Sequence, residues 1–239
     1  EKSPTQEYTL DYLKKYKQDG RELKSSVQYS INDDIEDATY TQSNFTNNIL
    51  EAITGKQRSE NSEKQKNLIF TADYVHPITK DSKFELGWRT QIRGISNDYI
   101  VEDSIQQIWI KNTQFTNQFR YDENVHAAYA IYGTKINKFS YQAGLRAEYT
   151  DFTTKLLETN EVNPRNFLKL FPSGHINYEL KGQNQVQLSY SRRIQRPRFW
   201  DLNPFFTFAD NRNIMSGNPN LNPEFTDSYE LGHVKYWEK

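Results

Sequence analysis

Hydrophobic and polar residues alternate along extended stretches of this chain. Between residues 83 and 94, one parity carries Phe84, Leu86, Trp88 and Ile92, and the other parity carries Glu85, Arg89, Gln91 and Arg93. A strand sends successive side chains to opposite faces, so this pattern predicts a ribbon with one apolar and one charged face. Such strands are typical of a β-barrel in a bilayer, although the sheets of soluble proteins also alternate.

The same alternation predicts nine strands, at residues 8–16, 23–31, 68–76, 84–92, 125–132, 139–149, 168–180, 185–193 and 225–237. Short turns near residues 17, 80, 137 and 182 alternate with long polar connections over residues 32–64, 96–118, 151–166 and 194–223. The segment 32–64 is interpreted as a surface loop in which Ile49, Leu50 and Ile53 are compatible with a short helix. All short turns then lie at one end of the sheet, as in outer-membrane barrels. A strand of about twelve residues, tilted by about 45°, spans roughly 28 Å, which is close to a bilayer core.

Composition narrows the protein classes that fit. Mean hydropathy is -0.93, and no stretch approaches the roughly 18 apolar residues of a membrane helix. The 30 basic and 31 acidic residues balance, which gives no argument for a nucleic-acid partner. No cysteine is present, so disulfides and thiolate metal sites are excluded. The chain begins at Glu1 without a visible signal peptide, which indicates a mature form or an excised piece.

Several sequence blocks in the second half of the chain are recognisable. Residues 186–206 read VQLSYSRRIQRPRFWDLNPFF, and residues 217–232 read GNPNLNPEFTDSYELG. Further blocks are FTADYVHPI at 70–78, AGLRAEYT at 143–150 and LFPSGHINYEL at 170–180. Taken in their order along the chain, the blocks resemble the outer-membrane β-barrel region of TonB-dependent receptor-like proteins of the Bacteroidetes type. The resemblance covers most of residues 65–239 and, more loosely, the first 64.

The resemblance implies an all-β fold, an antiparallel up-and-down meander of about nine long strands that forms part of a larger transmembrane β-barrel. Such receptors carry a plug domain and a barrel of about 22 strands. We therefore expect residues 1–239 to be a single interior barrel segment, without the plug and the remaining strands. Its two edges are open to edge-to-edge self-association.

The function implied by the resemblance is substrate capture and TonB-energised import across the bacterial outer membrane. The expected partners are outer-membrane lipid, the protein's own plug domain, TonB, and a small-molecule or oligomeric substrate. Iron chelates, glycans, peptides and cobalamin-like cofactors all remain open as substrates. Polar residues of one parity are expected to face the lumen: Arg89, Gln91, Arg93, Gln142, Arg146, Glu148, Gln187 and Ser189.

Arginine and aromatic side chains crowd the connection that follows the eighth predicted strand. In a receptor this loop can fold back and line a substrate site, so the candidate substrate-binding residues are Arg196, Arg198, Phe199, Trp200, Phe205 and Phe206. The alternative interpretation is structural. The rings then pack the loop onto its own strands, and the cluster Arg192, Arg193, Arg196 and Arg198 pairs with Asp201, Glu224 and Asp227. The structural interpretation is favoured for the arginines.

Other constellations in the sequence give no sign of catalysis. No nucleophile–base set or phosphate-binding glycine loop is visible, and the four histidines lack zinc-like spacing, so no enzyme activity, cofactor or metal is predicted. The acidic run at residues 32–37 has oxygen ligands suited to Ca²⁺ but lacks the EF-hand spacing, which favours a solvated loop. A soluble β-sheet module for glycan binding or adhesion is the alternative function.

Overall fold

The computed structural model describes residues 2–47, 49–210 and 213–237, without the side chains of residues 51 and 206–214. The strands are β1 (Thr5–Lys15), β2 (Glu22–Thr46), β3 (Ile49–Pro77), β4 (Ser82–Ile105), β5 (Ile108–Lys111), β6 (Asn117–Ile136), β7 (Phe139–Leu156), β8 (Glu161–Glu179), β9 (Asn184–Gln195), β10 (Phe206–Asp210), β11 (Asn213–Ser216) and β12 (Glu224–Lys235). One short helix, α1, covers Phe199–Leu202. Among the described residues, no helix is long and apolar enough to cross a membrane.

Nine strands form one antiparallel sheet in the order β1-β2-β3-β4-β6-β7-β8-β9-β12. The predicted meander of about nine long strands is therefore confirmed. β5 extends the sheet locally by pairing with β4, and β10 and β11 form a separate hairpin. The short turns contain residues with positive φ, among them Gly20 (73°) and Gly182 (71°), where a glycine accepts the left-handed backbone without strain. β1 and β12 are the two edges of the sheet.

Three of the four predicted long connections are largely strand, which corrects the sequence prediction. β2 and β3 pair from Glu22 and Val75 to Thr46 and Ile49, so residues 32–64 form a tall hairpin rather than a surface loop with a helix. β4 likewise continues to Ile105, and β7 and β8 pair as far as Leu156 and Glu161. These extensions lie beyond the predicted membrane segments, where no lipid imposes apolar residues on one face. Backbone ladders hold them in place of a hydrophobic alternation.

The two faces of the sheet differ in character. The outer face is defined here by Leu86, Trp88, Leu145 and Leu188, whose exposed fractions are 44%, 45%, 49% and 51%. A continuous surface of large apolar side chains is rarely left exposed to water, so this face indicates contact with another apolar surface. The inner face carries the predicted luminal residues of the opposite parity, such as Arg146 and Glu148.

The buried apolar core lies on the inner face and away from the predicted membrane segments. It joins residues of four parts of the chain: Ile95 on β4, Phe119 and Tyr121 on β6, Phe152 and Leu156 on β7, and Phe199 and Leu202 on α1. The core thus exists because the connection between β9 and β12 folds back onto the sheet. This inward loop, residues 196–223, is the fourth predicted connection and contains α1 and the β10–β11 hairpin.

Candidate functional site on the inner face

The inward loop crosses β8 and packs on strands that are remote from it in sequence. Phe199 and Leu202 are 7% and 1% exposed and enter the core between β4, β6 and β7. Trp200 and Phe205 are partly buried against the same core. Burial of two such side chains contributes roughly 1.5–3 kcal/mol each, so the attachment is a stable part of the fold.

A charged network fixes the beginning of the inward loop to the wall. Arg196 forms an ion pair with Glu148 on β7, and its Nε lies 3.9 Å from Oε1 of Glu123 on β6. Each carboxylate has a second arginine: Arg93 Nη2 is 2.8 Å from Glu123, and Arg146 Nη2 is 2.8 Å from Glu148. Glu123 and Glu148 are only 3% and 5% exposed, so their charges depend on these partners.

The loop is also closed upon itself by hydrogen bonds. The Asp201 carboxylate accepts from the backbone N–H of Arg198 at 2.8 Å and forms a capping box with it at the start of α1. Gly217 donates its N–H to the carbonyl of Asn203 at 2.7 Å. A side chain at Gly217 has no room, because a Cβ would lie 2.6 Å from the carbonyl oxygens of Asp201 and Asn203. The two ends of the loop therefore approach each other closely at this glycine.

A cleft of about 1060 Å³ separates the inward loop from the inner face of the β2–β3 hairpin. We call it the luminal cleft. Its wall side carries Asp34, Glu36 and Glu63, and its loop side includes Arg198 and Trp200. The acidic run 32–37 is therefore strand and not a solvated loop, and its alternate carboxylates lie on opposite faces. Within the described residues, no group of histidine, aspartate or glutamate side chains is suited to hold a metal ion.

The predicted site residues divide into two groups. Arg196 and Phe199 are engaged by the charged network and the core, whereas Arg198, Trp200 and Phe205 line the luminal cleft. Phe206 begins β10, and its side chain lies outside the described residues. Substrate binding by these six residues stays a prediction.

The structural pairing of the arginine cluster is present in part. Arg192 lies 3.8 Å from Asp227, and Arg198 lies 3.1 Å from Asp201. Arg196 departs from the expectation, because its partners are on β6 and β7. The sequence prediction missed Glu123, although Phe119, Tyr121 and Glu123 continue the parity of the strand that follows.

Glu63 is a titratable group on the wall side of the luminal cleft, and its surroundings change its pKa. It lies on β3, five residues before Leu68, which begins the predicted membrane segment 68–76, so Glu63 is outside that segment. Burial raises the pKa of Glu63 above its usual value of 4.5, and the nearby charges of Asp34 and Glu36 raise it further. At a pH above this raised pKa, the ionised carboxylate costs stability, and the cost disappears below 4.5, where both folded and unfolded chains are protonated.

We expect Glu63→Gln to raise the midpoint of urea unfolding of the full-length protein in detergent at pH 8 and to leave it unchanged at pH 4. The amide keeps the shape of the side chain and removes the charge. Glu60→Gln, on the outer face of the same strand, is the matched control and should not reproduce the gain. Equal gains from both substitutions at pH 8 would contradict the assignment of the cost to the cleft.

A sequence profile of the outer membrane protein beta-barrel family matches residues 14–239. The chain belongs to this family. A comparison with curated protein sequences gave no match. The family places the protein in the bacterial outer membrane, where the exposed apolar side chains of the outer face meet acyl chains. This location leaves no place for the alternative of a soluble glycan-binding or adhesion module.

Solved structures with the same fold are outer-membrane transporters. The copper transporter OprC matches with a TM-score of 0.68 at 12% identity, over 98% of this chain and 38% of that protein. The ferric citrate transporter FecA, in its unliganded form, matches with a TM-score of 0.60 at 13% identity, over 97% and 32%. The RagAB peptide transporter matches with 0.53 at 12% identity, over 97% and 28%. At these identities the likeness shows the fold alone.

The chain spans about a third of the length of these transporters. The predicted resemblance to outer-membrane β-barrels is confirmed by the family, and the fold agrees with that of the transporters. The TonB-dependent receptor role and the Bacteroidetes type stay predictions. The three matched structures are transporters rather than enzymes.

Proposed function

We propose that this chain forms part of the wall of a receptor that captures a substrate from the outside and imports it with energy from TonB. The open edges β1 and β12 pair with further barrel strands in the full-length protein, and a plug domain occupies the lumen below. The observation that carries the proposal is the inward loop, which is anchored on the inner face by Arg196, Phe199 and Leu202. A purely structural barrel has no need of a loop held inside its lumen.

The anchored loop gives the substrate-binding residues distinct roles. Arg196 and Phe199 hold the loop in place, while Arg198, Trp200 and Phe205 present their side chains to the luminal cleft. A cleft of about 1060 Å³ is the size of a site for a small molecule or a short oligomer. No reaction chemistry is proposed for it.

Uptake by whole cells tests this function. Cells that express the full-length protein are compared with cells that lack it and with cells in which TonB is inactive, and depletion of solutes from the medium is followed by mass spectrometry. We expect at least one solute to be depleted only when the receptor and active TonB are both present. Trp200→Ala should slow that depletion by about tenfold, since losing an aromatic contact costs on the order of 1–2 kcal/mol.

Trp109→Ala provides the control for this assay. Trp109 stacks on Arg58 in the β4–β5 region and does not line the luminal cleft, so its loss should leave uptake unchanged. Identical solute profiles in all three strains would refute import by this receptor. An equal effect of the two tryptophan substitutions would refute the role of the cleft.

A further inference from the structure

The wall of the luminal cleft carries three carboxylates that the protein does not neutralise. Asp34 and Glu63 are direct cross-strand partners, and Glu36 follows on the same face of β2. Within the described residues, none of the three forms an ion pair. Like charges placed directly opposite each other on a sheet are destabilising, so this arrangement costs the fold free energy.

Several acidic side chains elsewhere in the sheet are neutralised. On the outer face, Asp33 lies 3.2 Å from Lys64, and Glu102 pairs with Arg58. On the inner face, Glu123 and Glu148 have arginines on both sides. On the outer face of the same hairpin, Asp37 and Glu60 are also cross-strand partners without an ion pair to any described residue, but both side chains are exposed. The three carboxylates of the luminal cleft differ from them because they face one shared cleft.

Among the described residues that line the luminal cleft, the one cation does not compensate for these carboxylates. Arg198 is engaged with Asp201 of its own loop, at 3.1 Å between Nη2 and Oδ1. Among the described lining residues, that pair leaves the wall side of the cleft negative and adds no net charge on the loop side. An anionic ligand would meet electrostatic repulsion near the wall side of the cleft.

Unsatisfied polar atoms occur in the same cleft. Oδ1 of Asp34 is shielded from water and has no hydrogen-bond partner. Asn203, which lines the cleft from the loop side, is 0% exposed, and its Nδ2 also has no partner. Buried polar atoms in folded proteins are nearly always paired. Asp34 lacks a donor and Asn203 lacks an acceptor, so a ligand that carries both an ammonium donor and a carbonyl acceptor, as a peptide does, would complete the two groups.

Aromatic rings complete the surroundings. Trp200 lines the loop side of the cleft, and Tyr40 lines the wall side two strand positions beyond Ala38. An indole face attracts an ammonium or guanidinium group, and this attraction strengthens when the site is shielded from water. Carboxylates on the wall side and aromatic side chains on both sides of the cleft are the groups that bind an organic cation.

We propose that the luminal cleft binds the positively charged group of its substrate, an ammonium or guanidinium carried by an amine or a basic peptide, between the carboxylates of Asp34, Glu36 and Glu63 and the ring of Trp200. This inference rests on the proposed function and names the substrate class for that site. The raised pKa of Glu63 agrees with it, since an incoming cation favours the ionised carboxylate.

Calorimetric titration of the full-length receptor in detergent tests the charge of the ligand. The probes are acetylated pentalysine, acetylated pentaglutamate and maltopentaose, which have similar lengths and positive, negative and no charge. We expect pentalysine alone to bind, with an affinity that falls as salt is raised. Stronger binding of pentaglutamate or maltopentaose would overturn the inference.

Paired substitutions locate the binding. D34N/E36Q removes two luminal carboxylates, and we expect it to weaken pentalysine binding by about tenfold or more, from two lost charge contacts. D37N/E60Q also removes two carboxylate charges, in this case from the outer face of β2 and β3, and it should leave the affinity unchanged. Equal affinities in the two variants would overturn the inference. Circular dichroism and the heat-dependent gel shift confirm that each variant is folded.

The outcomes separate this inference from the proposed function. If a neutral or anionic solute is imported with TonB dependence and W200A slows its uptake, the receptor function stands and the cationic class is refuted. If pentalysine binds as expected but no solute is imported, the binding site stands and transport is refuted.

Discussion

Arg196→Ala is expected to release the inward loop from the inner face and to lower the free energy of unfolding of the full-length protein by about 3 kcal/mol. Removing one partner of a buried ion pair costs roughly 3–5 kcal/mol, because the other charge stays buried. The low end applies here, since Glu123 and Glu148 retain Arg93 and Arg146. Urea unfolding in detergent measures the stability, and limited proteolysis measures the release of the loop.

Arg198→Ala is the matched control for this substitution. The side chain of Arg198 is 81% exposed and pairs only within its own loop, so its loss should cost at most about 1 kcal/mol. Proteolysis should then cut the loop rapidly in the Arg196 variant and slowly in the Arg198 variant. Equal cleavage of the two variants would show that the charged network does not hold the loop.

Leu145→Arg is expected to destabilise the folded barrel by about 2–4 kcal/mol, the cost of an arginine on a lipid-facing position near the bilayer midplane. Leu145 lies six residues beyond Phe139, the first residue of β7. That separation corresponds to about 14 Å along the membrane normal, close to half of a roughly 30 Å core. Urea titration of the full-length protein in phospholipid vesicles measures the effect.

Gln142→Arg is the control on the same strand. Gln142 is exposed on the inner face, opposite in parity to Leu145, so an arginine there meets water instead of lipid. We expect its effect to stay within about 0.5 kcal/mol, as for ordinary surface substitutions. A harmful arginine at Gln142 together with a tolerated one at Leu145 would mean that the two faces have been assigned the wrong way round.

The sequence predicted the membrane strands well because lipid imposes a strict rule on them. One parity is mostly apolar where a strand meets acyl chains, as in Phe84–Ile92. In the short turns, three of the positive-φ residues are Gly20, Asn137 and Gly182, and the fourth is Gln183. The number of strands, their order and the two faces all follow from this alternation. The parity that placed Arg146 and Glu148 together on the inner face follows from it as well.

The extended parts of the strands could not be predicted in the same way. Beyond the bilayer, polar residues such as Asn61 and Asp98 are acceptable on either face, so the period of two disappears from the sequence. What holds β2, β3 and β4 together there is the backbone ladder, which leaves no trace in residue type. A polar stretch of this kind therefore resembles a loop.

The candidate site was predictable only in part. The cluster of arginines and rings indicated that residues 196–206 do something particular. The partners of Arg196 lie 48 and 73 positions away, and no local pattern relates them to it. The acidic wall was hidden for a similar reason, since Asp34 and Glu63 meet only because of the register of the β2–β3 hairpin.

The height of the β2–β3 hairpin determines which part of this protein antibodies and bacteriophages reach first. The part of β3 beyond the lipid, residues 49–67, rises about 45 Å above the outer leaflet at the usual strand tilt. Antibodies and bacteriophages that approach the bacterium therefore meet the tip of this hairpin before they meet the lipid. Insertions near its tip change the antigenic surface without touching the register that positions Asp34 and Glu63.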